Sequence, residues 1–290
     1  MSFVSGFEHI VRDNEPLAPY TWFRLGGVAE YFAEPTSDAE LSELVRRCRA
    51  EDIAVRLLGG GSNLLVRDAG VRGLVVHLAA PAFCSISTTG QTATAGAGAK
   101  LGHLISTAVR EGLAGLEQLA GIPGTVGGAV RGNSDGGGGD IGQWTKRATV
   151  MTRAGEIVDR NDLRFSYRQS SLDELVILRA EFELEAGDSS ELTKRMQKVW
   201  IAKKAAQPPG NQSLGYIFKD MGGVSAASLV EQAGFRDAQV GTATVSEHNA
   251  NFIVAQPGAS SNDVLGLIEL LRNGVSERLG VDLETQIETW

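Results

Sequence analysis

The sequence predicts an α+β fold in which short strands alternate with helices and glycine-rich loops. A β-α-β-β pattern fills the first eighty residues, and further strands and helices with one apolar face follow to the end of the chain. Thirty-six glycines in 290 residues exceed the usual share of about 7%, so loops make up much of the chain.

The first eighty residues are interpreted as one small domain. Thr21–Phe32 is expected to form a strand, a glycine turn and a second strand, and Ile53–Leu58 and Gly73–Leu78 are expected to be strands. Ser37 and Glu40 predict a capping box at the start of a helix. The apolar face of that helix is Leu41, Leu44, Val45 and Cys48.

Residues 81–187 are interpreted as a second domain of strands around one helix. That helix has a single apolar face and ends at Gly112. Its apolar residues are Leu101, Leu104, Ile105, Ala108 and Val109. The predicted strands are Ser85–Thr88, Thr92–Ala95, Arg147–Thr152 and Val176–Leu184.

Residues 188–280 are expected to form helices and strands, Gln207-Pro-Pro-Gly-Asn211 is interpreted as a domain boundary, and the last ten residues predict a strand. The expected helices are 189–204, 225–233 and 261–279, and the expected strands are 239–245 and 251–255. In Val281–Trp290 apolar and polar residues alternate with the period of a strand. One face of that strand would carry Glu284, Gln286 and Glu288.

Two glycine loops are the strongest candidates for a ligand site. In Leu58-Gly-Gly-Gly-Ser-Asn-Leu-Leu-Val66, Gly59, Gly60 and Gly61 let the backbone approach a ligand closely. Ser62 and Asn63 add side-chain donors. The second loop, Gly121-Ile-Pro-Gly-Thr-Val-Gly-Gly-Ala129, follows roughly sixty residues later. Neither loop has the spacing of a P-loop or a Rossmann turn, so a cofactor pyrophosphate would be bound by another fold.

Composition and charge exclude several classes of function. The net charge of -8 disfavours nucleic acid or an anionic membrane as the main partner, and no apolar run reaches the roughly 20 residues of a membrane span. Cys48 and Cys84 form no C-x-x-C motif, which disfavours a disulfide framework or a cysteine zinc site and predicts a cytoplasmic protein. His77 and His103 are interpreted as structural, and no metal site is expected.

Six segments, in order along the chain, resemble the UDP-N-acetylenolpyruvoylglucosamine reductases, a flavoenzyme family of peptidoglycan synthesis. The segments are Thr21-Trp-Phe-Arg-Leu-Gly-Gly, Leu58-Gly-Gly-Gly-Ser-Asn-Leu-Leu-Val-Arg-Asp, Gly115-Leu-Glu-Gln-Leu-Ala-Gly-Ile-Pro-Gly-Thr-Val-Gly-Gly-Ala-Val, Phe165-Ser-Tyr-Arg-Gln-Ser, Phe218-Lys and Ala250-Asn-Phe-Ile-Val. Tyr167 and Arg168 lie close before the strand predicted at Val176, with no insertion, which is similar to the shorter class of the family.

The resemblance implies a vanillyl-alcohol-oxidase-type FAD-binding domain in two parts, residues 1–80 and 81–187. Strand 281–290 would rejoin the first part, and residues 188–280 would form an α+β substrate domain. The implied activity is the FAD-dependent reduction of UDP-N-acetylglucosamine enolpyruvate to UDP-N-acetylmuramate with NADPH. A monomer acting on a UDP-sugar is expected. The implied cofactor residues are Gly59, Gly60, Gly61, Ser62, Asn63, Gly121, Ile122, Pro123, Gly124, Thr125, Gly127, Gly128 and Ala129.

Three positions carry the implied catalysis. Arg168 resembles the arginine that holds the substrate carboxylate, a role suited to a planar guanidinium. In Ser213-Leu-Gly-Tyr-Ile-Phe-Lys-Asp, Tyr216 occupies the position of the family's Ser or Cys proton donor. Gln286 replaces the glutamate of the near-terminal strand, and it keeps N–H donors but cannot exchange a proton.

Further substrate contacts are implied for Tyr167, Lys219 and Asp220. Asp220 itself departs from the family, which has asparagine at this position. Lys203 and Lys204 either help to hold a diphosphate or form a solvated helix face. Because of the departures at Tyr216 and Gln286, three functions remain open: the reductase, a flavin-binding paralogue without this activity, and a flavin oxidoreductase with another substrate.

Overall fold

The computed structural model describes residues 3–208 and 213–290, which contain strands and helices throughout. Residues 209–211 of the predicted domain boundary lie outside the described residues. The strands are β1 Val11–Pro16, β2 Val28–Ala33, β3 Val55–Leu58, β4 Leu64–Leu65, β5 Val71–His77, β6 Ile86–Thr89, β7 Thr92–Gly96, β8 Leu113–Ala114, β9 Thr145–Met151, β10 Ile157–Arg160, β11 Phe165–Ser166, β12 Gln169–Ser170, β13 Val176–Glu183, β14 Glu185–Ala186, β15 Ser213–Tyr216, β16 Gln239–Val240, β17 Ala243–Val245, β18 Phe252–Ala255 and β19 Glu288–Thr289. The helices are α1 Asp38–Ala50, α2 Pro81–Cys84, α3 Leu101–Arg110, α4 Val126–Arg131, α5 Ser189–Ala205, α6 Ala226–Gln232 and α7 Ser261–Leu279.

The chain forms two compact units. Unit 1 comprises the residues up to Glu15, Glu30–Gly60 and Arg72–Lys203. Unit 2 comprises Pro16–Ala29, Gly61–Val71 and the residues from Lys204 to Trp290. The first glycine loop therefore contributes Gly59 and Gly60 to unit 1 and its remaining residues to unit 2.

Unit 1 contains an antiparallel sheet in the order β10-β9-β13-β7-β6 and most of a second sheet in the order β1-β2-β5-β3. In the second sheet β3 and β5 are parallel. The apolar faces predicted for α1 and α3 are confirmed, since their residues are buried in the core of this unit. Gly112 ends α3 with a positive φ of 70°, as predicted.

Unit 2 is built on the antiparallel sheet β15-β18-β17-β16. Helix α7 buries Val264, Leu267, Ile268 and Leu271 in the core of this unit, as predicted. Ser260 and Asp263 form a capping box at its start, and Gly280 ends it in the left-handed conformation. The short strand β19 pairs in parallel with β4.

Three of the predicted elements were wrong in part. Thr21–Gly27 is not a strand, because Arg24 and Gly26 adopt positive φ values of 52° and 126° and turn the chain. Residues 239–245 form a hairpin of β16 and β17 instead of one strand, with Gly241 at its turn. In the last ten residues only Glu288–Thr289 is a strand, although Thr285 forms an isolated bridge with Phe218.

The capping box predicted for α1 is half correct. The side chain of Ser37 accepts a hydrogen bond from the Glu40 N–H, as expected. The Glu40 carboxylate instead accepts hydrogen bonds from the N–H and the hydroxyl of Thr36, both at 2.8 Å. Among the described residues, no helix has the length and apolar character needed to cross a bilayer.

Candidate functional site

A cleft lies in unit 1 where the ends of β3 and β5 meet α4 and the start of β13. Its walls are formed by Leu57, Leu58, Gly59, His77, Leu78, Ala97, Gly98, Thr125, Gly127, Gly128, Arg131, Leu175, Val176 and Ile177. The lining is mostly apolar, with backbone groups of both glycine loops and the guanidinium of Arg131 as polar elements.

The two glycine loops contact each other beside this cleft. A Cβ atom on Gly60 would lie 2.7 Å from the Cα of Gly124, and one on Gly59 would lie 3.0 Å from Thr125 Oγ1. Gly127 is equally constrained, because its Cβ would lie 2.8 Å from that of Ala97. A side chain on Gly59 or Gly60 would push the two loops apart, and one on Gly127 would push α4 away from Ala97, so the glycines keep the backbone bare and close-packed next to the cleft. Backbone of this kind suits the close approach of a dinucleotide pyrophosphate.

The predicted cofactor residues fall into three groups. Gly59, Thr125, Gly127 and Gly128 line the cleft. Gly60 and Gly124 form the loop-to-loop contact, while Ile122 packs against the core of unit 1 and Ala129 is buried in it. Gly121 contacts Lys203 of α5, and Pro123 is half-buried.

The remaining predicted cofactor residues, Gly61, Ser62 and Asn63, belong to unit 2. A Cβ atom on Gly61 would lie 1.9 Å from the carbonyl oxygen of Tyr20, and its φ is +63°, so only glycine fits there. Asn63 Nδ2 donates a hydrogen bond of 2.8 Å to the carbonyl of Gln286. This contact joins the first glycine loop to the C-terminal segment within unit 2.

Sequence reasoning missed several walls of the cleft. Gly98 was noted only as part of a Gly-Ala-Gly run before α3, yet a Cβ there would lie 1.8 Å from the carbonyl oxygen of Leu78. His77 lines the cleft, and its Nδ1 lies 3.0 Å from Glu34 Oε1. No group of described histidine, cysteine and acidic residues could hold a metal ion.

Arg168 lies at the turn of the hairpin formed by β11 and β12 in unit 1. Its φ of +58° is unusual for a residue other than glycine or asparagine, and such conformations cost of the order of 1 kcal/mol and cluster at functional sites. Its Nε atom is buried and has no hydrogen-bond partner among the described residues. One N–H donor of this guanidinium is therefore unused.

Asn133 positions this hairpin. The side chain of Asn133 is 1% exposed and donates a hydrogen bond of 2.9 Å to the carbonyl of Ser166. Its Oδ1 accepts a hydrogen bond of 3.0 Å from the N–H of Gly142. On the other strand, the hydroxyl of Ser170 donates to the carbonyl of Arg131 at 2.8 Å. Both strands of the hairpin are thus tied to the segment that follows the second glycine loop.

Lys203 lies in α5 with its stem against Gly121, whose Cβ would be 3.2 Å from that of Lys203. Its Nζ atom is buried without a hydrogen-bond partner in the described part of the chain. Burial lowers the pKa of Lys203 to about 8, Asp135 opposes this shift, and Arg168 adds to it. Lys204, by contrast, is exposed.

In unit 2, Tyr216 lies at the end of β15. Its hydroxyl donates a hydrogen bond of 3.4 Å to Asp220 Oδ1, which also accepts one of 2.8 Å from the N–H of Ala226. Its ring contacts that of Phe252, with centroids 5.0 Å apart. Two of the positions that depart from the family pattern, Tyr216 and Asp220, are therefore in direct contact.

Gln286 and Lys219 lie on neighbouring segments of unit 2. The N–H of Gln286 donates to the carbonyl of Ile217 at 2.8 Å. Its Oε1 is buried and has no hydrogen-bond partner among the described residues. The Lys219 ammonium forms an ion pair with Glu284, and its backbone N–H donates to the carbonyl of Glu284 at 2.9 Å. Glu284 thus binds Lys219 and does not substitute for the missing glutamate.

Asn251 holds the segment after Tyr216 in place. Its buried side chain accepts a hydrogen bond from the N–H of Phe218 and donates one to the carbonyl of Phe218, both at 2.8 Å.

We expect Asn251→Ala to lower the free energy of unfolding by about 3 kcal/mol, because two buried backbone groups lose their partners at about 1–3 kcal/mol each. Chemical denaturation measures this. Asn262→Ala, an exposed asparagine at the start of α7, is the control and should change it by less than about 0.5 kcal/mol. A loss of less than about 1 kcal/mol for Asn251→Ala would contradict the stabilising role of its two hydrogen bonds to Phe218.

Two protein-family models match the chain. One, described as an FAD binding domain, matches residues 29–161. The other, described as UDP-N-acetylenolpyruvoylglucosamine reductase, C-terminal domain, matches residues 207–290. The first match contains β3, β5, α4 and both glycine loops. The second match contains Tyr216 and Gln286.

Comparison with individual proteins gives the same result. The chain is 37% identical over 284 residues to the UDP-N-acetylenolpyruvoylglucosamine reductase of Rhodopirellula baltica, which covers 97% of this chain and 93% of the relative. The crystal structure of UDP-N-acetylenolpyruvylglucosamine reductase from Thermus caldophilus superposes with a TM-score of 0.83 at 34% identity, covering 97% of this chain and 99% of that one.

A more distant likeness concerns the fold alone. The structure of Phl p 4.0202, a glucose dehydrogenase, matches with a TM-score of 0.51 at 16% identity, covering 75% of this chain and 51% of that one. Together these findings confirm the predicted fold class, α+β with an FAD-binding domain of the vanillyl-alcohol-oxidase type.

Proposed function

Because the chain belongs to the family of UDP-N-acetylenolpyruvoylglucosamine reductases, we propose that it reduces UDP-N-acetylglucosamine enolpyruvate to UDP-N-acetylmuramate in peptidoglycan synthesis, with NADPH as the hydride donor. The observation that carries this proposal is the cleft between the two glycine loops, in the part of the chain that matches an FAD-binding domain. The residues of the cleft fit FAD, since the backbone of both glycine loops is bare there: an added Cβ atom on Gly59 would lie 3.0 Å from Thr125 Oγ1, and one on Gly127 would lie 2.8 Å from the Cβ of Ala97.

FAD, when bound, supplies the redox chemistry that transfers a hydride from NADPH to the substrate. Within unit 1 the backbone of Gly59, Gly127 and Gly128 would hold it, together with Thr125. Gly61, Ser62, Asn63, Gly121, Ile122, Pro123 and Ala129 remain proposed cofactor residues on the strength of the motifs alone.

Arg168 is proposed to bind the carboxylate of the substrate and to polarise the enolpyruvyl group. A guanidinium with a buried, unused N–H donor is suited to stabilise the negative charge that develops on that group. The unfavourable φ of Arg168 supports this role, because the hairpin keeps a strained residue where a less strained one would suffice for the turn. Tyr167 is proposed to contact the substrate beside it.

Tyr216 is proposed to donate the proton that completes the reduction. Its only hydroxyl proton is donated to Asp220 Oδ1 in this structure, so the hydroxyl would rotate from Asp220 to the substrate before it transfers that proton as a general acid. Gln286 would donate an amide N–H hydrogen bond to the substrate oxygen that becomes negatively charged during the reduction. The side-chain oxygen of Gln286 has no hydrogen-bond partner within the described residues. Lys219 and Asp220 would complete the substrate contacts in unit 2.

The wider proposal follows the sequence predictions. The division into 1–80, 81–187 and 188–280, with 281–290 returning to the first domain, is supported by the pairing of β19 with β4. We also propose that the protein works as a cytoplasmic monomer on its UDP-sugar. The two cysteines are free thiols, which suits a reducing compartment.

Steady-state kinetics test the activity. The full chain, loaded with FAD, should oxidise NADPH only when UDP-N-acetylglucosamine enolpyruvate is present, and mass spectrometry should identify UDP-N-acetylmuramate as the product. NADPH oxidation that does not depend on this substrate would favour a flavin oxidoreductase with another substrate. A flavoprotein with no turnover would favour the paralogue without reductase activity.

Tyr216→Phe tests the proton donor. The substitution removes one hydroxyl and keeps the ring that packs on Phe252, so the fold should be unchanged. We expect kcat to fall by about 100-fold, the low end of the range for general acid catalysis, with little change in KM. Tyr31→Phe in unit 1 is the control and should retain kcat. Retention of full activity by Tyr216→Phe would show that another group supplies the proton.

A further inference from the structure

Two buried cationic groups of unit 1 have unused hydrogen-bond donors. They are Nε of Arg168, at the turn of the β11–β12 hairpin, and Nζ of Lys203, in α5. Burying a charge without a partner costs free energy, so an arrangement of this kind is retained where a ligand completes it. Lys203 was one of two adjacent lysines that the sequence could not tell apart, and the structure separates it from the exposed Lys204.

The charged groups around Lys203 indicate how much negative charge a ligand of this site should carry. Asp135 and Arg168 are the charged groups that act on its ammonium. Asp135 already accepts a hydrogen bond of 2.7 Å from the N–H of Gly137, so it is not a dedicated partner of the lysine. Two positive groups and one negative group leave one net positive charge. A single carboxylate matches that charge, whereas a diphosphate would bring more negative charge than the site can neutralise.

We propose that Lys203 and Arg168 form a two-cation site for the carboxylate of the enolpyruvyl group. This rests on the proposed function and adds Lys203 to it as a binding residue that the sequence motifs do not include. Lys203 packs against Gly121 of the second glycine loop, and the Arg168 hairpin is hydrogen-bonded to Arg131 and Asn133, which follow that loop. Arg168 would supply N–H donors from the hairpin, and Lys203 would supply a second positive charge from α5.

Burial of the Lys203 ammonium lowers the stability of the fold when no ligand is bound. Since burial lowers the pKa of Lys203 to about 8, below the ordinary value of a lysine, protonation of this group destabilises the fold at neutral pH. The penalty is present below pH 8 and disappears as pH rises toward about 10.5, where the unfolded lysine also loses its proton.

Binding measurements on Lys203→Met test the proposal, with two probes that differ by the enolpyruvyl group, which carries the carboxylate. These are UDP-N-acetylglucosamine enolpyruvate and UDP-N-acetylglucosamine, and calorimetry gives Kd for each. We expect Lys203→Met to raise Kd for the enolpyruvate by about 10- to 100-fold and to leave Kd for UDP-N-acetylglucosamine unchanged. Lys204→Met is the matched control and should change neither value.

Two further readouts separate binding from structure. The Tm of Lys203→Met without ligand should be higher than that of the wild type by about 2–4 °C at pH 7, and this gain should vanish toward pH 10. Kd of the wild type for the enolpyruvate should rise above about pH 8, as the neutral amine loses its attraction for the carboxylate. Lys203→Arg keeps its charge and should show no such rise.

Each other outcome contradicts the site. Equal weakening of both probes would assign Lys203 to the diphosphate, and loss of bound FAD would assign it to the cofactor. Unchanged binding of both probes would show that Lys203 binds neither the carboxylate nor the diphosphate. If wild-type protein bound neither probe, the proposed function itself would be wrong, which is a different result from binding that does not depend on Lys203.

Discussion

Replacing Gly60 with alanine is expected to lower the affinity for FAD by at least about 100-fold. The added Cβ would lie 2.7 Å from the Cα of Gly124, which is backbone and cannot rotate away, so the two glycine loops must separate. Losing two backbone hydrogen bonds to a charged pyrophosphate costs about 3 kcal/mol, which corresponds to that factor. The flavin absorbance of the purified protein and titration of the apoprotein with FAD measure the effect.

Gly102→Ala is the matched control for this experiment. Gly102 lies in α3, has no atom within 4 Å of an added Cβ, and does not adopt a positive φ. Alanine in an exposed helix position should stabilise the protein by about 0.5–1 kcal/mol and leave the flavin content unchanged. If Gly60→Ala kept a full complement of flavin while Gly102→Ala behaved as described, the cleft between the loops would not be the FAD site.

Arg168→Asn is expected to lower kcat/KM for UDP-N-acetylglucosamine enolpyruvate by about 1,000-fold while FAD stays bound. Asparagine tolerates the positive φ of this position, so the hairpin should keep its shape and Tm should not fall. What is lost is the guanidinium, whose removal resembles the loss of a donor that stabilises developing negative charge. Steady-state kinetics at varied substrate concentration separate the effects on kcat and on KM.

Arg164→Asn provides the comparison for Arg168. It removes an exposed guanidinium just before the same hairpin, and its backbone hydrogen bond to Ser171 is kept. This variant should retain wild-type kcat/KM. Activity of Arg168→Asn within a factor of about three of the wild type would show that the substrate carboxylate is bound elsewhere.

Local patterns in the sequence predicted the five longer helices but not the short α2 and α4, and α4 begins inside the segment interpreted as the second glycine loop. The apolar faces of α1, α3 and α7 follow from residue spacing, the start of α1 follows from Ser37, and the end of α3 follows from Gly112. The same reasoning failed where backbone conformation overrides composition. At Thr21–Gly27, the positive φ of Arg24 was not visible in an apolar segment that resembled a strand.

The terminal segment shows a different limit. The alternation in Val281–Trp290 correctly indicated that Leu283 and Ile287 are buried. It did not show that the partners change along the segment, from Phe218 at Thr285 to β4 at Glu288. Period-two alternation predicts which side chains are buried, but strand pairing depends on residues that are distant in the sequence.

The candidate site was predictable where a motif is contiguous. Both glycine loops and Arg168 were found from the sequence, whereas the wall at Leu175–Ile177 is brought to the cleft by β13. Lys203 and Lys204 are adjacent and chemically identical, so only burial distinguishes them. The contact between Tyr216 and Asp220, which are four residues apart, could not be read from the sequence.

The most direct test of the proposed function follows the flavin absorbance of the wild-type full chain without oxygen. NADPH is added first, and UDP-N-acetylglucosamine enolpyruvate second. If Tyr216 and Gln286 support the reaction, the absorbance should fall with NADPH and return promptly when the UDP-sugar is added. An absorbance that falls and then stays low after that addition would contradict the reductase assignment, although the protein would still be a flavoprotein.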